Sequence, residues 1–117
     1  MSLSTFIQKI QNAEKVAFND SITVITENYT YHPTEFSNGV PEDTLINECG
    51  VNEGSCKIFA FAKLQQLNRV QTLSLFGDYY WIDVIGNPEG SDHKNIRNFI
   101  KYGWQGINFK GIALVAK

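Results

Sequence analysis

The chain has 117 residues, ten basic and twelve acidic side chains for a net charge of −2, and a hydrophobic fraction of 43%. That length closes one domain with a real core, taken as 1–117, and that composition excludes a mostly disordered chain. No Lys/Arg stripe can neutralise phosphates, no apolar run reaches membrane-span length, and "MSLSTFIQKI" has no h-region, so nucleic acid, membrane and signal-directed secretion are argued against.

From Ser4 to about Phe18, the residues Phe6, Ile7, Ile10, Ala13 and Ala17 keep helical spacing, with Ser4 as a suitable N-cap. In "NDSITVITENYTY" the steps Ile22, Ile25, Tyr29 favour a helix, while the β-branched content favours a strand. The capping types Asn19, Asp20 and Ser21 tip that segment to helix, and His32-Pro33 ends it. Residues 33–54, rich in Pro, Gly, Asn, Asp and Glu, predict a long irregular loop. "SCKIFAFAKLQQL", starting at Ser55, is apolar nearly all round and predicts the central buried helix. "VQTLSLFGDYYWIDVIG" sets Leu73, Phe76, Tyr80 and Val84 on one face of a helix closed by Gly86 and Pro88. In "GSDHKNIRNFIKYGW" the residues Ile96, Phe99, Ile100 and Gly103 lie at i, i+3, i+4 and i+7, with Ser91 or Asp92 at the N-cap. The tail "GWQGINFKGIALVAK" leaves room for a short extended pair. The expected fold is mainly α: one helical domain of about five helices, a long loop in the N-terminal half and at most a minor β pair near the C-terminus.

The chemistry-bearing residues gather at two helix starts. Cys56 falls in the first turn of the central helix, where free N–H groups and the macrodipole favour a thiolate, and Lys57 adds positive charge. With His93 and Asp92, or Asn95, it makes a nucleophilic set on paper. The plainer reading makes Cys56 a small buried hydrophobe, with Ser55 or Asn52 as a cap. Two cysteines are too few for a disulfide framework, so reduced thiols are expected, and a Cys49–Cys56 bridge is the minority alternative. His32 and His93 share no metal-ligand spacing, and no phosphate-cradling glycine motif is present, so no metal or cofactor is expected. Helical spacing puts His93 beside Ile96 and Ile100, Arg97 at the boundary of the apolar stripe, and Asn95 and Asn98 toward the polar side. Asp83, one turn after Tyr79 and Tyr80, is expected to pair with Arg97 across a helix interface.

Three blocks, "NEGSCKIFAFAKL", "TLSLFGDYY" and "DHKNIRNFIKYGWQGINF", resemble the HopJ type III effector family in order and separation. "YTYHPTEFSNG" is similar to that family's N-terminal signature, so the resemblance spans about Phe18 to Phe109. In that family the tyrosine pair is usually followed by Arg, where this chain has Trp81. The resemblance implies membership without a transferable catalytic residue or cofactor. It implies a virulence-related bacterial protein, cytoplasmic in the producing cell or delivered to a host by a type III system. The leading expectation is a non-enzymatic module that binds a host or bacterial protein through the polar segments, with Asn52, Glu53, Asp83, Asn95, Arg97, Trp81 and Trp104 as candidate binding residues. The alternatives are an enzyme using Cys56 and His93, or a carbohydrate-binding module stacking cell-wall sugars on Tyr80, Trp81, Tyr102 and Trp104.

Overall fold

Helix α1 (Leu3–Gln11) buries Phe6 and Ile10 and is capped by Ser2, two residues ahead of the expected Ser4. It ends well short of the expected Phe18, with Ala13 in the left-handed region at φ 59° and Ala17 already the N-cap of the next helix. Helix α2 (Phe18–Asn28) buries Val24 and Ile25. Its N-cap is Ala17, whose N–H donates to the Asp20 carboxylate at 3.2 Å. The chain runs straight from α2 into strand β1 (Tyr29–Tyr31). The β-branched run 22–26 is thus helical as expected, but the helix stops at Asn28, and Tyr29, expected on its face, lies in β1.

The computed structural model, which describes residues 1–117, is an α+β fold and overturns the expected mainly α architecture: five strands form two antiparallel sheets. The expected loop over 33–54 is largely a hairpin of β2 (Phe36–Val40) and β3 (Asp43–Asn47), paired Phe36 with Asn47 and Asn38 with Leu45. Strand β4 (Ile107–Phe109) adds to the other side of β2. The period-2 signal was hidden because two inward positions are amides: Asn38 and Asn47 are both 0% exposed. Polar residues at core-facing positions read as loop when only apolar residues are scored. The tail does hold two short strands, but β5 (Leu114–Ala116) pairs with β1 rather than with β4.

Helix α3 (Glu53–Leu64) starts two residues before Ser55 and buries Cys56, Ile58, Phe59, Ala60, Phe61 and Ala62. It is the centre of the core, and the Phe59 ring meets those of Phe36, Phe76, Phe99 and Trp104. The helix expected across 70–86 is broken in two: α4 (Arg69–Ser74), then a π-helical segment over Tyr79–Val84. The break is at Gly77, at φ +59°, where a Cβ would lie 2.6 Å from the Phe18 nitrogen. Only glycine lets the chain pass that close to α2. Helix α5 (Lys94–Tyr102) begins after His93, not after Ser91 or Asp92, and a 3₁₀ turn (Gly103–Gly106) leads from it to β4.

Candidate functional site

Asn95, in the first turn of α5, is buried rather than on a polar face. Its Oδ1 accepts from the amides of Asn38 and Asn47, each at 3.0 Å, and its Nδ2 donates to Asn47 Oδ1 at 2.8 Å. Asn47 Oδ1 also accepts from Asn52 Nδ2 at 2.7 Å. Asn98 is buried as well and donates to the Asn38 carbonyl at 2.9 Å. The β2–β3 hairpin covers this side of α5 with peptide groups, and most of the enclosed amide groups are satisfied by one another or by those peptides, Asn38 Oδ1 and Asn98 Oδ1 being left without a partner. Through Asn47 the end of β3 holds the start of α3 and the start of α5 together.

That arrangement takes Asn52, an expected cap of α3, out of use, and Asp92, an expected cap of α5, is bonded to Arg97 instead. The Asn52 amide is turned to Asn47, and the His93 ring is held by Asp83, with Nε2 and Oδ2 3.0 Å apart. Both residues precede their helices in the left-handed conformation, at φ 54° and 50°, and neither helix has a side-chain cap. The free N–H groups of two first turns border one open cavity of about 450 Å³. Asn52, Gly54 and Ser55 form one side; His93, Lys94, Asn95 and Ile96 form the other. Leu45, Phe18, Phe76 and Tyr79 complete the wall. Gly54 keeps the space narrow but clear, since a Cβ there would stand 3.0 Å from the Phe18 ring. In a chain of net charge −2, none of the 11 lining residues is acidic. Two helix dipoles act on it, while the Lys94 ammonium is paired with Asp43 at 3.6 Å, His93 with Asp83 at 3.0 Å, and Glu53 stands in the first turn of α3.

With this geometry in place, the relationships of the chain can be given. The model of a family described as HopJ type III effector protein matches residues 3–114. The chain belongs to the HopJ family. A crystal structure of VPA0580, a protein of unknown function, is similar to this HopJ chain with a TM-score of 0.94 and 43% identity, covering 100% of this chain and 95% of the other. No curated protein matches. The HopJ-like blocks "NEGSCK" and "DHKN" contain the starts of α3 and α5, the two segments that border the cavity.

Of the candidate residues, Asn52, His93 and Asn95 line this cavity of the HopJ fold, and Asp83 orients His93 from behind. Glu53 is exposed at the start of α3. Cys56 is not among the lining residues; its buried thiol faces the Thr34 carbonyl at 3.9 Å, and burial pushes its pKa up, toward the inert protonated form. Cys56 thus stands outside the cavity that His93 lines, and Asp92, 3.9 Å from His93 Nε2, is bonded to Arg97. The aromatics are engaged elsewhere. Trp104 packs on Phe59 and Phe99 and donates to the Leu67 carbonyl at 3.0 Å, while the Tyr102 hydroxyl donates to Asp43 at 2.7 Å. Trp81 lies against Tyr80, with the Lys15 ammonium 4.7 Å from its ring centroid. Sequence reasoning missed Lys94 and Tyr79 as lining residues and Asn38 and Asn47 as the frame; the buried amides carried no signal that periodicity could find.

The expected Asp83–Arg97 pair is not formed. Arg97 is buried and donates to the Asp92 carboxylate at 2.6 Å, the Asp92 carbonyl at 2.6 Å and the Asn87 carbonyl at 2.9 Å. Because His93 is the N-cap of α5, the turn before it folds back over Arg97, and Asp83 is left to the imidazole. The bond from Arg97 holds the Asp92 carboxyl below the usual aspartate range. Its contribution to stability is therefore full above the ordinary aspartate pKa and fades as pH falls through the lowered one. Arg97→Ala is expected to lower stability by roughly 2 kcal/mol through the lost bonds to main-chain carbonyls. In urea unfolding, its effect should be non-additive with Asp92→Ala and additive with Asp83→Ala. Coupling to Asp83 instead of Asp92 would contradict the pairing described.

Proposed function

We propose that this HopJ chain is a non-enzymatic binding module that takes an anionic group of its partner into the cavity between the starts of α3 and α5. The observation that carries this reading is a cavity of about 450 Å³ between two helix starts without side-chain caps, with no acidic residue in its wall and with Lys94 and His93 at its edge, each paired with an aspartate outside the wall, Asp43 and Asp83. Cavities of this size hold small ligands or single side chains, and helix N-termini stabilise anions. Against an enzyme stands the placement of Cys56, whose thiol is buried, has its pKa pushed up by that burial and faces the Thr34 carbonyl rather than the cavity. The family description as an effector supports a host or bacterial protein as the partner, and delivery by a type III system as the route to it.

The test is a titration of the ¹⁵N-labelled protein with inorganic phosphate, followed by amide shifts. Saturable changes are expected at Gly54, Ser55, Lys94 and Asn95. Ser55→Asp sets a carboxylate into the cavity at a position where acidic residues favour a helix, so the fold is kept while phosphate affinity falls about tenfold or more. Shifts scattered over surface lysines, unchanged by Ser55→Asp, would defeat the reading.

A further inference from the structure

The two sheets share one open edge. Tyr31 pairs with Leu114 in the first and Phe36 with Phe109 in the second, the same register in both. Between them His32 N–H donates to the Ala113 carbonyl at 2.7 Å and Lys110 N–H to the Glu35 carbonyl at 3.0 Å. Strands β4 and β5 are therefore two parts of one outer strand, interrupted opposite Pro33, which has no N–H to give. Main-chain groups alternate between the two sides of an antiparallel strand. Because Lys110, Ala113 and Lys117 bond inward, Phe109, Leu114 and Ala116 turn theirs to the outer side, where no strand pairs with them. Pairing space ends at Ile107, whose N–H is bonded to the Trp104 carbonyl.

Along this edge runs a groove whose other wall is the C-terminal half of α3. Its larger part, about 370 Å³, lies between Ala60 and Leu64 of α3 and the chain from Phe109 to Leu114. A second part, about 300 Å³, is bordered by Leu67, Trp104 and Ile107. Lys63 belongs to both walls and is the one charged residue in either. Its ammonium is 6.0 Å from the Phe109 ring centroid, and no carboxylate of the chain pairs with it, whereas Lys110 is held by Glu35. Ile112 is 75% exposed and Leu64 53%, so two large aliphatic side chains stand in water along an already apolar groove.

We infer that this groove docks an extended segment of a partner protein, added as an antiparallel strand to the open edge of β5. Its alternate, apolar side chains face α3, with a carboxylate among them at Lys63. Free main-chain groups on a strand edge supply affinity in such docking, and the wall beside them reads every second side chain. A second copy of this chain is the poorer occupant, because its own edge would bring its own α3 and set one Lys63 against the other. The groove shares no residue with the cavity at the helix starts, so this inference does not rest on the anion reading.

The probe is the synthetic peptide acetyl-Thr-Thr-Thr-Val-Thr-Val-Thr-Glu-Thr-Leu-amide, titrated into ¹⁵N-labelled protein. Saturable amide shifts are expected at Lys63, Leu64, Phe109, Leu114 and Ala116, with slower hydrogen exchange at Ala116. Lys63→Glu should weaken binding about tenfold, and a peptide with Lys in place of its Glu should restore it on that variant. Ala116→Pro removes an outward N–H that β1 does not use, on an edge strand where proline is accepted, so the fold is kept while affinity falls about fivefold or more. Affinity indifferent to either substitution, or no shifts along this edge, overturns the proposal. So does a dimer in sedimentation whose dissociation on dilution moves the same amides, since the edge then belongs to a second copy. Shifts confined to Gly54, Ser55, Lys94 and Asn95 would put the peptide carboxylate in the cavity, and this inference would fall while the anion reading stood.

Discussion

Asn95→Ala is expected to lower the unfolding free energy by about 3 kcal/mol, a fall in melting temperature of about 12 °C for a chain of this size. The Asn95 side chain makes three bonds inside the protein, two accepted and one donated. Its loss affects the three neighbours differently. Asn38 Nδ2 keeps the Asn95 carbonyl at 2.8 Å, and Asn47 Oδ1 keeps Asn52. Asn47 Nδ2 loses its acceptor, and Asn47 is 0% exposed, so water cannot replace it without opening the fold. An orphaned buried donor costs about 1–3 kcal/mol, and the space left by the amide adds to it. Asn47→Ala should cost a similar amount, and the double variant clearly less than the sum, by about 1 kcal/mol or more. Equilibrium urea unfolding of the two singles and the double measures this. Additive effects would mean that the amides do not act as a unit. The same substitution loosens the link between the starts of α3 and α5, so phosphate-dependent shifts should weaken at temperatures where Asn95→Ala is still folded.

Phe59→Ala should have the larger effect, about 4 kcal/mol, from an empty space at the centre of the core. The ring is 0% exposed and has ring neighbours on several sides: Phe99 at 5.0 Å, Phe76 at 5.5 Å, Phe36 at 6.0 Å and Trp104 at 6.4 Å between centroids. These come from α5, the turn after α4, β2 and the 3₁₀ turn. No single neighbour can move in to fill the gap without losing its own contacts. Phe59→Leu keeps most of the volume and should cost less than half as much. Since domains are stable by only about 5–15 kcal/mol, the alanine variant should be near its threshold at 37 °C while the leucine variant folds. Similar midpoints for the two would mean that the core repacks freely around α3.

The family was legible from blocks of residues, and so were α1, α2 and α3, because each buries a stripe or a whole surface of apolar side chains that repeats at helical spacing. Glycine at position 77 was visible but its effect was not. The pattern Leu73, Phe76, Val84 does face the core, yet it runs across a break that exists only because α2 passes within 2.6 Å of where a Cβ would be. That is a contact between segments far apart in sequence, and no local pattern encodes it. The hairpin was hidden for a related reason: Asn38 and Asn47 belong in the interior only once Asn95 is there to bond them, and Asn95 looks solvent-facing until a sheet covers it. Polar side chains become core residues in sets, and the members of this set come from two strands, a loop and a helix. The polar run at 92–98 was thus recognisable as important while its partners were not. Capping rules gave Ser91 or Asp92 to main-chain N–H groups, and helical spacing paired Asp83 with Arg97 across a helix interface. Tertiary structure reversed both, because α5 starts one residue later than the caps suggest, which turns Arg97 to Asp92 and leaves His93 for Asp83. The amino-acid pattern by itself determined which segments could bury apolar faces. Which polar groups met, and that two uncapped helix starts border one cavity, depended on hydrogen bonds between residues that only the completed fold brings within reach.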